Sequence, residues 1–158
     1  MLHSLRFTLA VLGMGTLMTA CGQQVNSAPV AGNSAATPVV ATDSYDINAL
    51  IAAADRAKGQ IVFLQCRACH SLEAGGPNKV GPNLHGVIGR KAGLAPGFSY
   101  SDQMTASGVV WSAETLDKFL LRPSDFIPGT RMVFVGLRKP EDRANVIAYL
   151  KQETGAAQ

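Results

Sequence analysis

Apolar positions along the chain cluster into a few windows of helical spacing, separated by long stretches with no period at all. From Ile47 to Gln65, Leu50, Ala54, Ile61, Phe63 and Leu64 recur among Asp, Arg and Lys, the spacing of one helix with one covered face. Gly59 interrupts that window. A glycine inside a helix costs about 1 kcal/mol against alanine, so its presence predicts that a second helix crosses there and that the backbones pass close. Ser112 to Leu121 reads as another helix, with Ser112 as N-cap, Glu114 in the first turn and a stop before Pro123. Ser124 to Ile127 adds one turn ahead of Pro128 and Gly129. The last helix starts at Pro140, with Glu141 and Asp142 in its first turn. Val146, Ile147 and Leu150 give it an apolar face with Tyr149 beside it. No alternating run predicts a strand and no internal repeat occurs, so the pattern predicts an all-α domain of three main helices, short helical turns and long loops.

The stretches between these windows are informative too. Ala74 to Gly97 holds Gly and Pro too densely for regular elements. A loop that long in a compact domain is usually functional or wrapped around something. At the N-terminus, Arg6 precedes an apolar run from Phe7 to Thr19. At about thirteen residues it falls short of the roughly 20 that span a membrane, and it fits a secretory signal peptide over residues 1–20. Its end, Leu17-Met18-Thr19-Ala20-Cys21, resembles a bacterial lipobox, although Met18 stands where leucine is usual. Lipidation at Cys21 would then anchor the mature chain; ordinary cleavage near Ala20 and an uncleaved anchor are the alternatives. Residues 21–44 form an uncharged linker up to Thr42, a flexible tether of roughly 25 Å root-mean-square span. The folded domain is expected over 45–153 and a frayed tail over 154–158.

Composition adds little to that picture except by exclusion. Hydrophobic residues make up 47% and charged residues 16% of the chain, which suits a small globular domain rather than a disordered one. The formal charge is +3, and loss of Arg6 with the signal peptide would leave about +2. That weak charge, with no basic stripe carrying interleaved aromatics, argues against nucleic-acid binding. A domain of just over a hundred residues has a marginal core by itself, a problem that a large apolar prosthetic group at its centre would solve.

The chemistry concentrates in the cysteines. There are three, Cys21, Cys66 and Cys69, an odd number that argues against a simple disulfide framework. Cys66-Arg67-Ala68-Cys69-His70 has the spacing of c-type haem attachment. Two thiols three residues apart at a helix end can each form a thioether to one vinyl group of a porphyrin, and the following imidazole then points at the iron. A redox dithiol would need a thioredoxin-like βαβ context, which is absent. A zinc site would need a second Cys or His pair, and His85 alone cannot complete one. For the sixth iron ligand the candidates are Met104, Met132, His85 or none. Met132 follows the turn Pro128-Gly129-Thr130-Arg131, which suits it to face the haem side opposite His70, whereas Met104 sits in the short polar stretch Ser101 to Ser107.

These blocks carry a wider resemblance. Ala57-Lys58-Gly59 with Phe63, Cys66 to His70, Gly81-Pro82-Asn83-Leu84-His85-Gly86 with Gly89-Arg90, Gly97-Phe98-Ser99-Tyr100, Trp111, Ile127 to Met132 and Val146 to Lys151 follow in the order and spacing of class I cytochrome c, of the mitochondrial and α-proteobacterial type. The resemblance spans about Asp55 to Lys151. It implies the cytochrome c fold around one covalent haem c, with His70 and Met132 as axial ligands of the iron. It implies that the Pro82 carbonyl orients His70, that Arg90, Tyr100, Ser101 and Trp111 hold the propionates, and that Phe119 and Thr130 flank the methionine. Gly59 and Phe63 would cross the last helix near Val146 and Tyr149. Two positions depart from the pattern: Phe119 stands where a tyrosine often bonds the methionine sulfur, and Met104 where an asparagine is frequent.

The function so implied is a periplasmic, membrane-tethered carrier of single electrons, not an enzyme. Its partners would be membrane redox complexes, with a quinol–cytochrome c reductase type donor and a terminal oxidase type acceptor, and neither nucleic acid nor a small-molecule substrate. Arg67, Lys79, Lys91, Arg131, Arg138 and Lys139 are candidates to rim the haem edge and meet acidic partners. The competing class is a haem enzyme or sensor, peroxidase-like or gas-binding, in which Met132 is labile.

Overall fold

The computed structural model describes residues 45–155. The expected signal peptide, Cys21, the expected linker up to residue 44 and residues 156–158 lie outside the described residues. Among the described residues six helices follow in order: α1 (Ile47–Ala52), α2 (Arg56–Phe63), α3 (Asp102–Ala106), α4 (Ala113–Leu121), α5 (Pro123–Phe126) and α6 (Pro140–Glu153). Among the described residues the only extended pairing is an isolated bridge between Lys91 and Val110. The architecture is all-α, with α2, α4 and α6 as the three principal helices.

The window Ile47–Gln65 is two helices, not the one its periodicity suggests. Asp46 caps α1, its carboxylate accepting from Asn48 N at 2.9 Å. Asp55 then caps α2, accepting from Ala57 N and Lys58 N at 2.8 and 3.2 Å. The break is held from outside, because the Asp55 N–H donates to Asn145 Oδ1 of α6 at 2.9 Å instead of continuing a helical ladder. A second difference lies at Ser101–Ser107, a polar stretch that forms α3. Ser101 is its N-cap, its Oγ accepting from Met104 N at 3.2 Å.

Helix α6 is central. Every residue from Arg143 to Leu150 is buried, so the single apolar face read from its sequence understates its environment. Helices α1, α2 and α4 all pack on it. A Cβ built on Gly59 would stand 2.8 Å from Tyr149 Cβ and 3.0 Å from Asn145 C, and closer still to the Asn145 carbonyl oxygen. Only a glycine lets α2 approach so near. Just beyond it the Phe63 and Tyr149 rings lie 5.5 Å apart.

Helix α4 is fastened to α6 by an ion pair inside the protein. Arg143, 2% exposed, donates from Nε to Asp117 Oδ1 at 2.6 Å and from Nη1 to the carbonyls of Leu137 and Arg138. The Tyr45 hydroxyl joins both members, donating to Asp117 and accepting from Arg143. Such a pair stabilises only when its remaining donors are satisfied, as they are here.

The expected frayed tail does not begin at Thr154. That residue is 1% exposed; its hydroxyl donates to Leu150 O at 2.7 Å and its carbonyl accepts from Gly86 N at 3.1 Å. The end of α6 is thereby tied to the long glycine-rich loop.

Candidate functional site

Helix α2 runs directly into the cysteine segment. The N–H groups of Cys66 and Arg67 both donate to Phe63 O, and those of Cys69 and His70 to Cys66 O. This tight turn brings the two cysteines to the wall of one cavity of about 240 Å³, which His70, Met104, Met132, Trp111 and Phe119 also line. Both thiols are unpaired and half-buried. Burial, and secondarily the neighbouring Cys69, push the Cys66 thiol up to about 11, so it stays protonated at neutral pH. Among the described residues no group of three His, Cys, Asp or Glu side chains gathers. Two free thiols on an apolar wall suit thioether formation.

His70 is locked in place. Its Nδ1 lies 2.7 Å from the Pro82 carbonyl, and a Cβ on Gly81 would fall 2.8 Å from both ring nitrogens. The ring is thus packed flush against the Gly81–Pro82 backbone. Burial lowers its pKa; the Pro82 carbonyl opposes this and Lys79 adds to it. A neutral imidazole with Nδ1–H directed at the carbonyl leaves Nε2 as the lone-pair nitrogen for a metal. Lys79, read from the sequence as a rim charge, donates from Nζ to Arg67 O at 2.8 Å and His70 O at 3.3 Å. It secures the same turn.

Of the candidates for a second axial ligand, Met104 and Met132 both line the cavity, while His85 is exposed and does not. Met104 is buried within α3. Met132 is half-buried on an irregular segment, its N–H donating to Thr130 Oγ1 at 3.3 Å.

Pro82, Arg90, Tyr100, Ser101, Phe119 and Thr130 line the same cavity. Arg90 spends part of its guanidinium on the carbonyls of His85 and Asn83, at 2.9 and 3.1 Å, and so braces the loop that carries Pro82. Trp111 is 7% exposed, and its indole N–H has no acceptor among the described residues, leaving it free to donate to a group in the cavity. The Phe119 ring lies 5.0 Å from that of Trp111, tilted by 55°. Of the six cations considered for the rim, Arg131 alone lines the cavity. Gly59, Phe63 and Tyr149 form the helix crossing described above. Val146 reaches both the core and the cavity.

Sequence reasoning passed over Leu116 and Leu120 of α4 and Phe134 after Met132, all of which line the site. The i, i+4 spacing of the two leucines was the available signal. The Tyr45–Asp117–Arg143 cluster carried no such signal.

The donor set fits haem c. Two thiols for the vinyl groups, an oriented imidazole, thioether sulfur, apolar walls and unspent polar hydrogens all meet at one cavity.

Comparison with known proteins agrees. A sequence profile of the family described as Cytochrome c matches residues 56–154. Cytochrome c2 of Rhodomicrobium vannielii is 51% identical over 104 residues, covering 66% of this chain and 83% of the relative. Cytochrome c of Chlamydomonas reinhardtii is 50% identical over 103 residues, covering 65% of this chain and 92% of the relative. Among solved structures, cytochrome cH from Methylobacterium extorquens is similar at a TM-score of 0.59 and 43% identity, covering 62% of this chain and 98% of that one.

Proposed function

Because the chain belongs to the cytochrome c family, which binds covalent haem c and serves as electron carriers rather than enzymes, we propose that it is a periplasmic single-electron shuttle tethered to a membrane through Cys21. The observation that carries the reading is the convergence of Cys66, Cys69, His70 and Met132 on one cavity. The haem supplies a one-electron iron couple. Cys66 and Cys69 would hold it covalently, His70 and Met132 would ligate its iron, and Arg90, Tyr100, Ser101 and Trp111 would hold its propionates. With both iron ligands supplied by protein side chains, no open position would remain for a substrate.

Met/His ligation raises the reduction potential relative to bis-imidazole sites. The side chains of α4 and α6 along the cavity, Leu116, Phe119, Leu120, Val146 and Leu150, keep water from the iron. A packed, low-dielectric wall that moves little between oxidation states suits outer-sphere transfer through an exposed edge. The mature charge of about +2 predicts modest steering toward acidic partners. A tether would offset that by raising effective concentration. The partners that fit are a quinol-oxidising donor complex and an oxidase-type acceptor.

Visible spectroscopy of the ferric holoprotein tests the ligand set. The weak far-red charge-transfer band of methionine–iron ligation should be present, and carbon monoxide should bind the ferrous form slowly. Absence of the band with fast carbon monoxide binding overturns the shuttle and favours a sensor or peroxidase. Fractionation tests the tether: Cys21→Ser should release the protein from membranes into the soluble periplasmic fraction. A wild-type chain already found there removes the anchor.

A further inference from the structure

The two segments that carry the axial ligands are held very differently. His70 is fixed through its N–H, its ring nitrogen and its carbonyl, by Cys66, Pro82 and Lys79 in turn. Residues 128–136, which carry Met132, have no comparable network. Thr130 N donates to Ile127 O, just before the segment, at 3.0 Å, and Met132 N to Thr130 Oγ1 at 3.3 Å. The next tie beyond it is Leu137 N to Leu120 O at 2.8 Å.

Packing is uneven along the segment: Gly129 abuts Gln103, Gly136 lies against the main chain of Leu120 and Leu121, and Met132 and Phe134 pack on the core. Val133 and Val135 are 102% and 90% exposed, so their side chains grip nothing, while Met132 and Phe134 are half-buried. Among the described residues, the only hydrogen bonds joining residues 128–136 to a distant part of the chain come from Arg131. Its Nη2 donates to Tyr100 O at 2.5 Å and its Nη1 to Ser99 O at 3.4 Å.

The guanidinium fork suits this task, since its two terminal nitrogens can meet two successive backbone carbonyls at once, which a single ammonium reproduces poorly. The acceptors belong to a loop whose residues Ser99, Tyr100 and Ser101 line the same cavity. The hydrogen bonds that join the Met132 segment to this loop thus all come from one side chain, among the described residues. We propose that Arg131 is a positioning residue, a clamp that holds the Met132 segment against the Ser99–Tyr100 loop and sets how readily the thioether leaves the iron. This rests on Met132 being the ligand. It also gives Arg131 a part distinct from the partner-facing charge its sequence position suggested.

The test uses the full-length holoprotein as wild type, Arg131→Ala, Arg131→Lys and Arg138→Ala. Exogenous imidazole is titrated into the ferric form while the far-red band is followed, and circular dichroism checks that each variant is folded. Two partly exposed hydrogen bonds to neutral carbonyls are worth little each. Their loss should raise the apparent imidazole affinity about tenfold, which corresponds to about 1.4 kcal/mol. Arg131→Lys should fall between wild type and Arg131→Ala. Arg138→Ala removes the same charge from a side chain that makes no such contact and should match wild type. Imidazole affinity in Arg131→Ala within about twofold of wild type overturns the clamp, and so does an equal rise in Arg138→Ala, which would assign the effect to charge. A wild-type protein with no far-red band overturns the ligand reading itself.

Discussion

Replacing Gly59 by alanine sets two effects of opposite sign against each other, and the structure decides which wins. Alanine is the better helix former by about 1 kcal/mol, so on α2 alone the change would stabilise. The added Cβ would lie 2.8 Å from Tyr149 Cβ and 3.0 Å from Asn145 C, where carbon atoms prefer about 3.5–4.0 Å. It would come closer still to the Asn145 carbonyl oxygen. These neighbours are main chain and a Cβ, which no rotamer change can move, so α2 and α6 must separate by most of an ångström. Overpacking typically costs about 1–3 kcal/mol, and rigid neighbours place this case near the top of that range. After the helix gain, about 2 kcal/mol of net destabilisation remains, or roughly 8–16 °C in Tm for a domain of this size. Guanidinium unfolding of the ferric holoprotein, followed by haem absorbance and circular dichroism, measures it. A midpoint equal to or above wild type would show that the crossing has slack and that the close-approach argument is wrong.

Other consequences follow from the same structure. Glu114 accepts from Ser112 Oγ at 2.7 Å and Asn48 Nδ2 at 2.6 Å, and these bonds, the serine's first, hold its carboxyl down at about 2. A depressed carboxyl stabilises the fold above its unfolded value of about 4.5 and loses that contribution as pH falls toward 2. Glu114→Gln should therefore flatten the acid limb of a stability–pH curve between those values, and an unchanged limb contradicts the assignment. Asp117→Ala strands Arg143, 2% exposed, without its carboxylate; because two carbonyls still accept from the guanidinium, the loss should be about 3 kcal/mol by denaturant titration, with Asp117→Asn less severe. A loss below about 1 kcal/mol would mean that the cluster relaxes. Phe119→Tyr places a hydroxyl on the cavity wall that Met132 shares and should shift the reduction potential in cyclic voltammetry; an unchanged potential shows that this position does not tune the site.

The relation between chain and fold divides along the range of the interactions. Features set within a few residues were readable: the Cys-x-x-Cys-His spacing, the Ser112 cap, the Pro140 start of the last helix and the close approach implied by Gly59. Each is governed by local sterics or by a covalent geometry that spans one turn. The split between α1 and α2 was not read, although Asp55 is a good cap, because apolar periodicity ran through it and the N–H that breaks the helix is captured by Asn145, 90 residues away. Thr154 looked like the start of a tail because its burial depends on Gly86 from the glycine-rich loop.

Arg131 and Arg143 make the point most directly. By sequence they are two arginines among many charges. One is buried between α4 and α6 because Asp117 and Tyr45 arrive from 26 and 98 residues away. The other reaches carbonyls 31 and 32 residues upstream. Sequence alone determined the Cys-x-x-Cys-His attachment motif, the Ser112 and Pro140 helix starts and the family resemblance. Tertiary structure decided which charges are spent inside the protein and how the His70 and Met132 segments are held, because a long side chain's partner is set by where distant segments meet, and no local pattern encodes that.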